Sequence, residues 1–171
     1  MEANTNQLRL TATVDWSAAL MASLVAGAVS YLAFLFLVPK IIGAGNAAIM
    51  ARYLASVLLG PAALAPPATF EMPVFFLSLL VHFTLALIEG LAIAFVLHRW
   101  GLFVGILGGA ILGLFLFLIN FYSLTVLWPH MFALAHESVA LVHVVFGATA
   151  GGIYELLELE PEERLPVAGE A

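Results

Sequence analysis

The residues of this chain that could do chemistry are a few polar side chains inside long apolar runs. His82 and Glu89 are seven residues apart, so they share one face of a helix, and His136 and His143 repeat that spacing. Asn120 is the strong polar residue of the apolar run between these pairs. Ionisable side chains are costly at membrane depth, where they mark functional sites or paired buried groups. We therefore predict that these five side chains face inward and form one intramembrane polar cluster.

Four interpretations of this cluster are open. The first is a buried hydrogen-bonded network that only fixes the register of the helices. The second is a proton or ion relay, because imidazole and carboxylate groups exchange protons. The third is a haem b held by two imidazoles from different helices, which His82 and either His136 or His143 could supply. The fourth is a metal ion held by His and Glu, but no HExxH or similar ligand spacing is present, so we name no metal ligands.

Enzyme chemistry of the soluble kind has no support in the sequence. No nucleophile elbow, phosphate-binding loop or paired-carboxylate spacing occurs, so we predict no catalytic residues and no enzyme activity. The chain has no cysteine, which excludes disulfides, thiolate catalysis and iron–sulfur clusters. Its five Lys and Arg residues form no basic patch, so nucleic acid is not expected as a partner.

The elements that must position the cluster are membrane-spanning helices. Hydrophobic residues make up 64% of the chain and charged residues 9%, a composition that needs lipid as its solvent. About 20 apolar residues cross the hydrocarbon as a helix. Four runs are long enough: roughly 16–38, 73–97, 101–127 and 130–154, followed by an acidic tail at 155–171. We predict an all-α integral membrane four-helix bundle, a single domain over 1–171 that binds membrane lipid.

An additional amphipathic helix is predicted at about 46–59, between the first two spans. Asn46 can cap its start, and Gly60 and Pro61 end it. Apolar residues recur through this segment at helical spacing, with Arg52 elsewhere, which is typical of a helix lying in the membrane interface. The proline-rich stretch 61–73 is predicted to be a stiff, extended linker to the second span.

Small residues predict how the spans pack. Glycines recur in the last two spans at intervals of four, as Gly101, Gly105, Gly109 and Gly113 and as Gly147 and Gly151. Glycine faces let helices approach closely in lipid, where van der Waals contact drives association. We predict that these glycines form close helix–helix contacts of the glycine-zipper kind. The short turns near residues 99 and 129 also make the last three spans antiparallel neighbours.

The depth of the polar residues follows from a rise of ~1.5 Å per residue. Counted from the midpoint of each span, His143 lies near the bilayer centre and His82 slightly toward the face opposite the termini. Asn120 and His136 lie further toward that opposite face, and Glu89 lies slightly toward the face with the termini. We expect these residues to form one column.

The orientation is predicted from the positive residues. Arg9, Arg99 and Arg164 lie on the face with the termini, whereas Lys40 and Arg52 lie on the other face. The positive-inside rule therefore predicts that both termini are cytoplasmic.

Four short segments of the chain carry a resemblance. They are Pro66-Pro67-Ala68-Thr69-Phe70-Glu71, Val81-His82-Phe83, Asn120-Phe121-Tyr122 and His143-Val144-Val145-Phe146-Gly147. Together they resemble a group of small bacterial four-helix membrane proteins, some of which are labelled "sodium:proline symporter". The resemblance covers the second to fourth spans. It implies a protein of the bacterial inner membrane, and it implies no substrate and no catalytic residues.

Three functional hypotheses follow. The first is an accessory or structural subunit of a larger membrane complex, respiratory or energy-converting, because glycine faces and an interfacial helix occur without a catalytic motif. The second is a small proton- or ion-coupled transporter or channel, a self-oligomer, that uses His82, Glu89 and His143. The third is a haem-binding membrane protein. The expected partners are therefore lipids and either other membrane subunits or further copies of the chain.

Overall fold

The computed structural model describes residues 14–43 and 45–158, and this part of the chain is mostly helical. Four helices are long and apolar enough to cross a membrane: α1 (Trp16–Ile42), α3 (Met72–Leu97), α4 (Leu102–Val126) and α5 (Glu137–Leu157). A shorter helix, α2 (Ala47–Leu59), lies between the first two. No strand occurs in the described ranges. The predicted all-α four-span fold is confirmed, and the chain is a multi-pass membrane protein.

The first span ends four residues later than the sequence predicts. α1 passes through a π-helical turn, Ala33–Leu37, and continues as Val38–Ile42. Pro39 lacks an N–H and its ring crowds the preceding turn, and the wider π turn directly before it accommodates both effects. Gly43 then takes the left-handed conformation, with φ of 70°, that ends the helix.

The fourth span begins later than the predicted residue 130. Pro129–Leu134 forms a 3-10 helix, and α5 starts at Glu137. His136 is the N-cap: its Nδ1 accepts a hydrogen bond from the backbone N–H of Ser138 at 3.1 Å. The carboxylate of Glu137 in the first turn also suits the positive end of the helix dipole. Local capping therefore sets this boundary, although the apolar run extends further back.

Arg52 of α2 lies on the buried face of the helix, contrary to its predicted place away from the apolar face. Its side chain is 8% exposed and donates to the carbonyl oxygens of Ala63 and Thr69 at 2.9–3.1 Å. It also pairs with Glu71 at 2.6 Å. The linker that it holds begins as a 3-10 helix, Pro61–Leu64, where the sequence predicts an extended segment, and it bends at Pro66. Arg52 thus fastens the linker to α2.

The spans pack in the order α4, α5, α1 and α3 around the bundle. α4 lies closely against α5, and α1 packs on both α5 and α3. α3 and α4 are joined by a short turn but have few contacts with each other, and α2 packs on α3. The bundle is therefore tight between α4 and α5 and loose between α3 and α4.

Glycines make the α4–α5 contact close. Three glycines of α4 face two of α5: Gly105, Gly109 and Gly113 against Gly147 and Gly151. A methyl group added to Gly109 would overlap the carbonyl oxygen of Gly147, and one added to Gly147 would overlap that of Gly109. Gly101 departs from the predicted role, because it precedes α4 with φ of 81° and a methyl group there would meet nothing within 4 Å. Gly101 is the N-cap residue of α4 and does not pack against α5.

Candidate functional site

A cavity of about 160 Å³ lies among the helices and contains most of the predicted polar cluster. All five helices contribute to its lining. The polar lining residues are Ser30, His82, Glu89, Asn120 and His143. The apolar lining residues are Phe34, Leu54, Val57, Leu85, Ala86, Phe121, Leu124, Trp128, Met131, Val142 and Phe146. A mainly apolar space with a few convergent polar groups is the usual composition of a small-molecule site.

Asn120 connects Glu89 to His143 and so joins three helices. Its Nδ2 donates to Oε1 of Glu89 at 2.7 Å and lies 3.4 Å from Nε2 of His143. His143 Nδ1 lies 2.9 Å from the carbonyl oxygen of Val139, so Nδ1 carries the hydrogen and Nε2 is an acceptor. We call these three side chains the polar triad. Among the described residues Asn120 is the hydrogen-bond donor to Glu89, which leaves Oε2 for a proton or a ligand.

Local backbone features place the members of the polar triad. Asn120 lies in a π-helical turn, Ile119–Ser123, a rare element that occurs often at functional sites. The rings of Phe117 and Phe121 meet the imidazole of His143 edge-on, with centroids 5.8 and 5.5 Å away. Gly90, next to Glu89, lies so close to Ser23 of α1 that a methyl group would overlap its side chain. The carboxylate therefore projects from a segment of α3 that is pressed against α1.

His82 lines the cavity but is bound to α1. Its Nε2 donates to the carbonyl oxygen of Gly27 at 2.9 Å and lies 3.3 Å from Oγ of Ser30. The ring also packs against Tyr31, with centroids 5.0 Å apart. One nitrogen is therefore used to join α1 to α3, and the imidazole forms a wall of the cavity beside the polar triad.

His136 does not join the cluster that the sequence predicts. It caps α5, and its Nδ1 lies 2.9 Å from Oγ of Ser138. The spacing of seven residues from His143 places both on one helix face only if the helix includes both, and α5 begins after His136. His136 lies one residue before the first residue of the helix, so it does not share the helix face of His143.

The aromatic and α2 residues of the lining are the part of the site that the sequence reasoning missed. Trp128 lines the cavity, and its Nε1 donates to the carbonyl oxygen of Val57 at 3.0 Å. His130, in the same connection, bonds Oγ of Ser56 at 2.9 Å. α2 is thereby held over one end of the cavity by the segment between α4 and α5.

The lining also limits which groups the cavity could hold. No Lys or Arg of the described ranges lines it, so Glu89 has no positively charged protein partner there. Among residues 14–43 and 45–158, no group of three or more His, Asp or Glu side chains is placed to hold a metal ion. Pockets for ligands of cofactor size usually measure about 300–1,000 Å³, so the size of this cavity gives no support to a haem between His82 and His143.

Comparison of the chain with protein-family models, with curated proteins and with solved structures gives no match. The resemblance to small bacterial four-helix membrane proteins stays a prediction. Function is therefore inferred from the cavity and the polar triad.

Proposed function

We propose that this chain is a small membrane transporter that exchanges a cation for a proton at Glu89. The observation that carries the proposal is a carboxylate that lines a cavity among membrane spans and has no Lys or Arg of the described ranges beside it. A bare carboxylate in such a place loses several kcal/mol of solvation. Either a bound proton or a bound cation removes that cost.

The two ligands compete for the same atoms, which is the physical basis of exchange. Asn120 donates to Oε1 of Glu89 at 2.7 Å, and this bond can form whether the carboxyl group is charged or neutral. Oε2 then takes either the proton or the cation, but not both. Binding of one ligand must weaken binding of the other by the same factor, so a gradient of either can drive the other.

The two histidines of the lining fit this role as neutral groups. Each uses one ring nitrogen to donate to a backbone carbonyl, His82 to Gly27 and His143 to Val139. Neutral imidazoles leave Glu89 as the charge-carrying group and provide further acceptors for its proton. A network with a purely structural purpose would be close-packed, whereas this one borders a cavity of about 160 Å³.

The test is cation-driven proton movement by the purified protein. Liposomes that hold a pH indicator and the reconstituted chain receive an outward or inward gradient of Na⁺, K⁺ or an organic ammonium ion. We expect at least one gradient to change the internal pH, and Glu89→Gln to lower that rate by about tenfold or more because the amide cannot carry the charge. Glu137→Gln makes the same chemical change at an exposed position outside the cavity and should leave the rate unchanged.

An accessory role in a larger membrane complex would give a different result. The wild-type protein would then move no protons under any gradient, and purification in mild detergent would yield stoichiometric partner subunits. A self-oligomer of an active transporter would instead purify alone. We place the transporter in the bacterial inner membrane with cytoplasmic termini, on the basis of the sequence resemblance and of Arg99 at the terminal face.

A further inference from the structure

We infer that the exchanged cation is a small organic ammonium ion, a compact apolar body with one positive charge. This inference rests on the proposed exchange at Glu89 and adds the substrate class. It follows from the size of the cavity, from its aromatic walls and from the scarcity of oxygen ligands.

The size of the cavity sets the size of the substrate. Its volume is about 160 Å³. An apolar cavity of about 150 Å³ holds one benzene molecule, so the space suits a ligand of about five to eight non-hydrogen atoms. Large lipophilic cations with several rings would not fit.

The walls fit an organic cation better than a metal ion. Ca²⁺ takes about six to eight oxygen ligands, chiefly carboxylates and carbonyls, and Mg²⁺ needs an octahedral set of oxygens that includes several waters. Among the described residues, the side-chain oxygens of the lining come from Ser30, Glu89 and Asn120. Most of the remaining surface is hydrocarbon, which stabilises the alkyl groups of an organic cation but gives nothing to a bare ion.

Four aromatic side chains line the cavity together with Glu89. Phe34, Phe121, Trp128 and Phe146 come from four different segments: α1, α4, the α4–α5 connection and α5. Aromatic faces attract organic ammonium ions, and the attraction is strongest where the site is desolvated. One carboxylate among several aromatic rings is therefore suited to recognising an ammonium group.

Binding of one cation to the cavity is balanced by the release of one proton. The titratable groups that face the cavity are Glu89 and His82 from α3 and His143 from α5, whereas α1, α2 and α4 contribute no ionisable side chain to the lining. When the ammonium ion binds, the Glu89 carboxyl group releases its proton to water and the carboxylate pairs with the cation. One cation bound therefore corresponds to one proton released.

The experiment uses the full-length protein in detergent and tetramethylammonium chloride as the probe. Trp16 and Trp100 are both more than half exposed and lie outside the cavity lining, so Trp16→Phe with Trp100→Phe leaves Trp128 as the sole tryptophan, which is excited selectively over tyrosine. We expect a saturable change in Trp128 emission and the release of about one proton per cation in lightly buffered solution. Lowering the pH should raise the apparent Kd by up to about tenfold per pH unit, since one proton competes with one cation.

Controls separate charge, size and folding. The uncharged analogue tert-butanol should neither bind nor release protons, and tetrapropylammonium should be excluded by its size. Glu89→Gln should abolish proton release, while Glu89→Asp, which keeps the charge, should retain it with weaker binding. If Glu89→Gln does not fold, the pH dependence of the wild-type Kd still decides the matter.

The outcomes distinguish the two claims. Proton release by Na⁺ or K⁺ that depends on Glu89, without any effect of tetramethylammonium, upholds exchange and overturns the organic substrate. Tetramethylammonium binding that is independent of pH and of Glu89 also overturns it. Proton release by none of the cations overturns both the substrate class and the exchange itself.

Discussion

Arg52 and Glu71 form one ion pair at the linker, but substituting each of them should lower the stability of the protein by a different amount. The guanidinium group donates to the carbonyl oxygens of Ala63 and Thr69 and to the carboxylate of Glu71, and its side chain is 8% exposed. The Glu71 side chain is 54% exposed, so water can replace most of the interaction that this carboxylate makes with Arg52. The two members of the ion pair should therefore contribute very different amounts to the free energy of unfolding.

The expected magnitudes follow from burial. Hydrogen bonds to a charged donor contribute ~1.5–3 kcal/mol each, and the Thr69 carbonyl can regain water because that residue is exposed. Arg52→Met, which keeps the apolar stem, should lower the free energy of unfolding by about 2–4 kcal/mol. Glu71→Gln should lower it by less than about 1 kcal/mol, as expected for an exposed ion pair.

The assay is unfolding of the purified protein in mixed micelles, followed by helical circular dichroism as the denaturing detergent fraction rises. Both variants are compared with the wild-type chain under identical lipid and detergent conditions. Equal losses for the two variants would show that the ion pair, and not the buried bonds to the linker carbonyls, holds the linker. A loss below about 1 kcal/mol for Arg52→Met would refute the structural reasoning directly.

Further predictions concern other contacts of the same structure. Trp128→Phe removes the hydrogen bond to Val57 and should destabilise the protein by about 1 kcal/mol, measured by the same unfolding assay. Gly147→Leu places a side chain against α4 and should cost about 3 kcal/mol or more, visible as a lower yield of folded protein; wild-type yield would contradict the close contact. His136→Ala should cost about 1 kcal/mol through the lost N-cap yet leave proton exchange unchanged. His143→Ala should slow exchange, and equal exchange rates for the two His variants would argue against the polar triad.

The sequence determined the elements of this protein because the relevant signals are local. Hydropathy over about 20 residues fixes four spans in any lipid environment. The short helix α2 is set by Asn46 at its start and Gly60 at its end, and the structure places it at Ala47–Leu59 against a predicted 46–59. Helical spacing alone was enough to place His82 and Glu89 on one face.

Only the tertiary structure decided which polar residues meet. Counted from the α3–α4 turn, Glu89 and Asn120 differ by about ten residues, or ~15 Å of helical rise, yet they form a hydrogen bond of 2.7 Å. A count along upright helices therefore does not predict this contact. The close glycine contact holds α4 against α5, whereas α4 and α3 have few contacts.

The tertiary structure also decided the position of the cavity and the burial of Arg52. Both depend on segments far apart in the chain: Trp128 reaches Val57, and Arg52 reaches Thr69 and Glu71. In lipid, helix association is driven by shape and by hydrogen bonds between helices, and neither can be predicted from the hydropathy of a single segment. The sequence thus determined which polar side chains lie within the membrane, and packing alone decided that Glu89, Asn120 and His143 share one cavity while His136 caps a helix.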